Sequence, residues 1–329
     1  MTLMAVRIMR VTAVAVLAFV CATSAADAQM DPRHAESYLG YKLPQLVNTA
    51  WQLYSETVGK IGTAEERAAL ARLELTFDKG YGAPRVDARC SNGRCPLRIS
   101  AGFVGLSLVF ALSSAASAHL GAAPGLAAKC FADNVDSLAR GILSSSADNP
   151  YVPLLPCLGK ADVPLQALVD NQEFNDLADI AVIETLVFAF AHELAHVRNG
   201  DLDPGGETRP ARDVETRADI DAVEFLARAG IDAFFGTGAV GAFRLAEKLT
   251  LVRGDYPPAE CRMLYTLLAS GYFLANLDRS KLTFDTGYEK ELRAKFADWR
   301  LAEVAAFVKQ NAATIEKGSC SGYFRQPTK

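Results

Sequence analysis

The chain has 329 residues, half of them apolar, with 34 basic and 38 acidic side chains and a net charge of −4. That length suits one large domain or two small ones, and the apolar content is ordinary for a globular protein with a sizeable core. The weak acidity removes any electrostatic reason to expect a nucleic-acid partner.

Arg7 and Arg10 are the only charges in the first 26 residues, and the apolar run Val11 to Val20 follows them. Small residues then lead to Ala26-Asp27-Ala28, a cleavage pattern. Residues 1–28 therefore read as a secretory signal peptide cut after Ala28, which predicts a periplasmic or secreted protein. The run is shorter than the ~20 residues a bilayer span needs. Cys21 falls in the signal, leaving Cys90, Cys95, Cys130, Cys157, Cys261 and Cys320. An even number in an oxidising compartment suggests disulfides. Cys90 and Cys95 bracket a turn-rich Ser-Asn-Gly-Arg, so a local bridge is expected there. Sequence order suggests Cys130–Cys157 and Cys261–Cys320, among about fifteen possible pairings. No C-x-x-C favours a structural zinc instead.

Apolar positions from Leu43 to Lys60 recur at three and four, the period of an amphipathic helix. Thr63-Ala64-Glu65-Glu66 reads as the cap and first turn of a short second helix. Leu73 to Phe77 alternates like a strand, and Pro96 to Ser100 reads as another. From Ile99 to Ala128 no residue but His119 can carry charge; Gly, Ala and Ser make it a buried helix rather than a lipid-facing one. His119 reads as structural. Ser144 to Pro150 has loop composition. Beyond Val163 the pattern is helical: Asp179 to Arg198, closed by Asn199-Gly200; a loop over Leu202 to Arg209; then Asp213 to Ala229, Glu260 to Leu277 and Asp285 to Ala312. The economical fold class is α+β, mostly helical, with a small N-terminal β element.

The stretch Asp179 to Arg198 carries the chemistry. His192-Glu193-Leu194-Ala195-His196 is H-E-x-x-H on a predicted helix, and it takes two of the chain's four histidines. Side chains four apart share a helical face, so His192 and His196 can present two imidazoles to one metal ion with Glu193 beside them as general base. A catalytic zinc site needs a third protein ligand. No histidine follows His196, and Leu202 stands where a three-histidine class would place one. A carboxylate is left, from Glu207, Asp213, Glu215, Asp219 or Glu224. Glu215 is the best placed, one short loop beyond the motif helix. Asp219, four residues on, would accept the free N–H of a ligand histidine.

The segment His192 to Asp201 resembles the active helix of the HtpX-like and CAAX-prenyl-protease-like metallopeptidases. Glu215-Thr216-Arg217-Ala218-Asp219 is similar to that family's E-x-x-A-D helix, and Tyr256-Pro257-Pro258-Ala259-Glu260-Cys261-Arg262 to its H-P-P-x-x-x-R. Tyr256 stands where the family has histidine, and the 19 residues from His196 to Glu215 are fewer than usual in it, closer to thermolysin-like and Lit-like gluzincins. The resemblance implies a divergent gluzincin with one zinc ion per chain, held by His192, His196 and Glu215. It implies a single zincin-like domain over 29–329, with the metal-binding core about 172–275. It also places Tyr256 and Arg262 near the reacting groups. A phenol can donate to an oxyanion. Arg262 would bind substrate or the oxyanion, or form an ordinary ion pair; Tyr265 is a weaker candidate donor. The expected function is an exported zinc metallopeptidase acting on peptides or unfolded proteins. The alternative is a catalytically weak or inactive binding or chaperone-like protein on the same scaffold. Membrane association is open to such a protein but is not expected.

Overall fold

The computed structural model describes residues 32–79, 84–144, 153–203, 211–248, 256–276, 287–310 and Cys320. The expected signal segment, 1–28, lies outside them, as does most of the expected loop over Ser144 to Pro150 and of that over Leu202 to Arg209.

The described elements run α1 (Pro32–Ile61), α2 (Ala64–Leu70), β1 (Leu73–Asp78), β2 (Val86–Ala88), β3 (Cys95–Ser100), α3 (Ala101–His119) and α4 (Leu126–Ser144). They continue with α5 (Leu154–Cys157), α6 (Leu165–Val169), α7 (Gln172–Arg198), α8 (Ala211–Arg228), α9 (Gly236–Lys248), α10 (Ala259–Ala275) and α11 (Gly287–Gln310). The α+β class, mostly helical with one small sheet, is as expected from the sequence.

Two helices form the centre. α3 and α7 are apolar on nearly every face, which a helix can sustain only when surrounded. Both are long and apolar enough to cross a bilayer, yet 83% and 89% of their most apolar stretches lie buried. They pack on each other; α1, α2 and α8 cover α7, and α9 packs against α3, α4, α7 and α10. The approach of α9 depends on glycine. A Cβ on Gly241 would sit 2.1 Å from the Phe131 ring, and one on Gly238 would sit 2.6 Å from Phe110.

Local chemistry sets the helix starts. Thr63 and Glu66 form the expected capping box on α2, each side chain taking the other's backbone N–H. Ser100 Oγ caps α3 through Phe103 N–H at 3.2 Å and also accepts from Arg85 N–H at 2.9 Å, joining α3 to the sheet. Asn171 caps α7 through Phe174 N–H. α7 thus starts at Gln172, earlier than Asp179. α1 runs from Pro32 and carries Pro44 inside it, earlier than Leu43.

The uncharged stretch Ile99 to Ala128 is not one helix. α3 ends at His119, and a turn with Gly121 and Gly125 at positive φ leads into α4. Glycine there removes the Cβ penalty that would bar that backbone. His119 ends 3.6 Å from Glu173, in keeping with a structural role.

The sheet order is β1-β3-β2, with β1 parallel and β2 antiparallel to β3. β2 is an edge strand that packs against α7. Arg85 C=O and Arg89 N–H bond to β3, so the intervening Val86 and Ala88 turn their backbone groups away from it. The six cysteines stand at bonding distance in the expected pairs: Cys90–Cys95, Cys130–Cys157 and Cys261–Cys320, with S–S separations of 2.06, 2.09 and 2.06 Å. The first closes the β2–β3 turn. The last ties the C-terminal region to α10 one residue before Arg262.

Candidate metal centre

His192 and His196 lie on one face of α7 and meet α8, which supplies Glu215 and Asp219. Ala218, fully buried between those two carboxylates, lets the helices close on each other. Every group is withdrawn from solvent: His192, Glu193, His196 and Glu215 are 3–8% exposed, Asp219 0% and Arg262 1%.

The two rings face each other through Nε2, 3.0 Å apart. Glu215 faces both, Oε2 3.2 Å from His192 Nε2 and Oε1 3.5 Å from His196 Nε2. The outer nitrogens are turned away: His192 Nδ1 lies 3.0 Å from Asp219 Oδ1, and His196 Nδ1 3.2 Å from Asp201 Oδ2. An ionised carboxylate can only accept, so each Nδ1 carries the proton that faces it: His196 Nδ1 donates to Asp201, and His192 Nδ1 pairs with Asp219. In a neutral ring this leaves Nε2 as a lone pair. With both rings neutral, two lone pairs and a carboxylate would converge here; the raised pKa of His192 instead puts a proton on its Nε2, facing Glu215 Oε2, and an Arg262 nitrogen lies 3.5 Å from the same oxygen. A proton on one Nε2 relieves one contact; a cation relieves all three.

The dimensions agree. Zinc–ligand bonds of ~2.0–2.1 Å at a tetrahedral ion put neighbouring ligand atoms about 3.3 Å apart. The three separations here are 3.0, 3.2 and 3.5 Å. His192, His196 and Glu215 thus form a group that could hold a metal ion.

Electrostatics follow from this packing. Burial pushes the His192 imidazole down, but Asp219 and Glu215 outweigh it and raise it to about 10. Burial pushes Glu215 up, but His192, His196 and Arg262 bring its carboxyl down to about 2. Asp219 is held well below the usual carboxylate range against its own burial, first by Arg262 and then by His192. Glu193 goes the other way: burial raises it, and the histidines and a backbone N–H offset only part. That N–H belongs to Ala88 on the free edge of β2 and donates to Glu193 Oε2 at 3.0 Å.

A comparison of the chain with protein-family models found no match, and comparisons with curated proteins and with solved structures found none either.

The expected ligands and Asp219 come together as the spacing predicted. Arg262 reaches them too, in the ion-pair form. Its Nε and one terminal nitrogen each donate to Asp219 at 2.8 Å, and the same terminal nitrogen lies 3.5 Å from Glu215. It acts here by fixing Asp219. Tyr256 is half-buried just ahead of α10. Tyr265, also half-buried, has its hydroxyl raised to about 12 by burial, Glu224, Asp219 and Asp221. Two features escaped the sequence. One is the Ala88 N–H, on a strand of three residues. The other is Asp201, which the sequence offered only as the residue after a glycine helix stop and the last of the segment resembling the metallopeptidase helix.

Proposed function

We propose that this chain is an exported zinc metallopeptidase that hydrolyses peptide bonds in peptides or unfolded proteins. The observation that carries the reading is the buried convergence of His192 Nε2, His196 Nε2 and Glu215 with the Glu193 carboxylate beside them. A His₂Glu donor set on an H-E-x-x-H helix is the choice of zinc peptidases, which favours zinc over other divalent ions. The disulfide pairs support an oxidising compartment.

His192, His196 and Glu215 would hold the zinc, which when bound would polarise a carbonyl and lower the pKa of a water toward ~7. Glu193 would accept a proton as the scissile carbonyl is hydrated and return it to the leaving amine as the C–N bond breaks. Burial raises its carboxyl above the ordinary carboxylate range, which makes it a stronger proton acceptor. Asp219, anchored by Arg262, keeps the His192 ring in register. Tyr256 stands where the resembling family has histidine, and its phenol would donate to the oxyanion.

Replacing Glu193 with Gln separates the parts of this mechanism. The variant should keep its zinc and lose cleavage of an unfolded protein substrate. Cleavage at the wild-type rate would exclude Glu193 as the base.

A second reading is a binding or chaperone-like protein of the cell envelope that does not cut. It is favoured by the hydrogen bond from Ala88 that occupies Glu193 and by the burial of every site group. Zinc-replete wild-type protein that retains unfolded substrate without cleaving it would support this second reading instead.

A further inference from the structure

We propose that the C-terminal cap of α7 is part of the metal site, with Asp201 as the positioning residue for His196. The inference rests on the metal-site reading above and extends it to residues outside the ligand set.

α7 ends on Asn199, and Gly200 follows at φ +71°. The chain doubles back there. Gly200 N–H donates to Val197 C=O at 3.3 Å, and Asp201 N–H donates to His196 C=O at 3.0 Å. This is the paired pattern of a Schellman cap, in which the residue after the glycine returns to one five positions earlier. Here the returning residue is an aspartate and the one it meets is a ligand. The same two residues are therefore joined twice: backbone to backbone, and Asp201 Oδ2 to the His196 ring at 3.2 Å.

The turn is itself held in place. Arg217, from α8, pairs with Asp201 Oδ1, leaving Oδ2 for the histidine. Asn199 donates to Asp221 at 2.9 Å, and Arg72, just ahead of β1, pairs with Asp203. The centre thus has two His–Asp–Arg arms. His192–Asp219–Arg262 is buried throughout, whereas His196–Asp201–Arg217 ends on an arginine whose side chain is 34% exposed. A carboxylate behind a ligand histidine fixes its tautomer and raises its basicity. The Asn199-Gly200-Asp201 cap supplies that carboxylate from the ligand's own helix.

The test uses the full-length chain and three readouts: zinc affinity by chelator competition, the visible spectrum of the cobalt-loaded protein, and proton–nitrogen correlations of the metal-free histidines. Asp201→Ala should weaken zinc binding by about 10- to 100-fold and shift the cobalt bands. Asp201→Asn, which keeps an acceptor oxygen, should recover part of the affinity, and Arg217→Ala should lose less than Asp201→Ala. In metal-free wild type the His196 proton should sit on Nδ1, a preference Asp201→Ala removes. Should Asp201→Ala fail to fold, Asp201→Asn and Arg217→Ala decide: affinities and cobalt spectra equal to wild type in both would overturn the proposal. Zinc held equally by wild type and a folded Asp201→Ala would overturn the role of the cap alone. A wild type that takes up no zinc would overturn the metal reading on which it rests.

Discussion

Replacing Arg262 with Met asks what a buried arginine is for. The side chain is 1% exposed and donates two 2.8 Å bonds to Asp219, which has no exposure at all. It is also 3.5 Å from Glu215. Met preserves much of the volume and removes the charge, leaving a buried carboxylate without its cation. Breaking a buried pair from one side costs about 3–5 kcal/mol. At roughly 2–4 °C per kcal/mol for a domain of this size, the melting temperature should fall by about 10 °C. The double variant Asp219→Asn, Arg262→Met removes both charges and should be less destabilised than Arg262→Met alone. Urea unfolding followed by circular dichroism, with a chelator present, measures all of these free of metal linkage. An Arg262→Met protein within 1 kcal/mol of wild type, impaired only in cleavage, would refute the positioning role and put Arg262 on the substrate.

Gly241→Ala should destabilise by about 1–3 kcal/mol, because its methyl group would meet the Phe131 ring at 2.1 Å; the Phe131→Leu background should relieve part of the loss. Glu303 is 3% exposed, and burial raises its carboxyl to about 7, offset in part by Gly125. The unfolded chain ionises this group from about pH 4.5 while the folded chain keeps its proton to about pH 7, so its contribution to stability falls across that window. Glu303→Gln should flatten the fall and gain up to about 3 kcal/mol above pH 7, read from denaturation midpoints against pH. No gain at pH 8 would show the carboxyl to be solvated. Reducing Cys130–Cys157 and Cys261–Cys320, which span 27 and 59 residues, should lower stability by about 3–4 kcal/mol each on the chain-entropy account. Single Cys→Ala pairs measured in urea check this, and an unchanged midpoint for the longer loop would count against it.

The ligand set was legible because helical periodicity is rigid. Once His192 and His196 share a face, a nearby carboxylate can join them, and Glu215, with Asp219 four residues later, was the best placed of Glu207, Asp213, Glu215, Asp219 and Glu224. The disulfide pairs followed chain order for a similar reason, since neighbouring segments pack together. α9 was not legible, because Gly236, Gly238 and Gly241 depress helix propensity; they are there for the rings of Phe188, Phe110 and Phe131, which only tertiary structure reveals. β2 has three residues, too few for alternation to register, yet it delivers the Ala88 N–H to Glu193. Asp201 was hidden by its context. Asn199-Gly200 announces that a helix stops, and only the return of the chain shows that the next side chain lands on His196.

Zinc content tests the central claim most directly. Purified protein refolded or expressed with ample zinc should hold one ion per chain, and Glu215→Ala should lose it while keeping the helical fold. Wild-type protein that remains metal-free under those conditions, or a Glu215→Ala variant that keeps its zinc, would contradict the account.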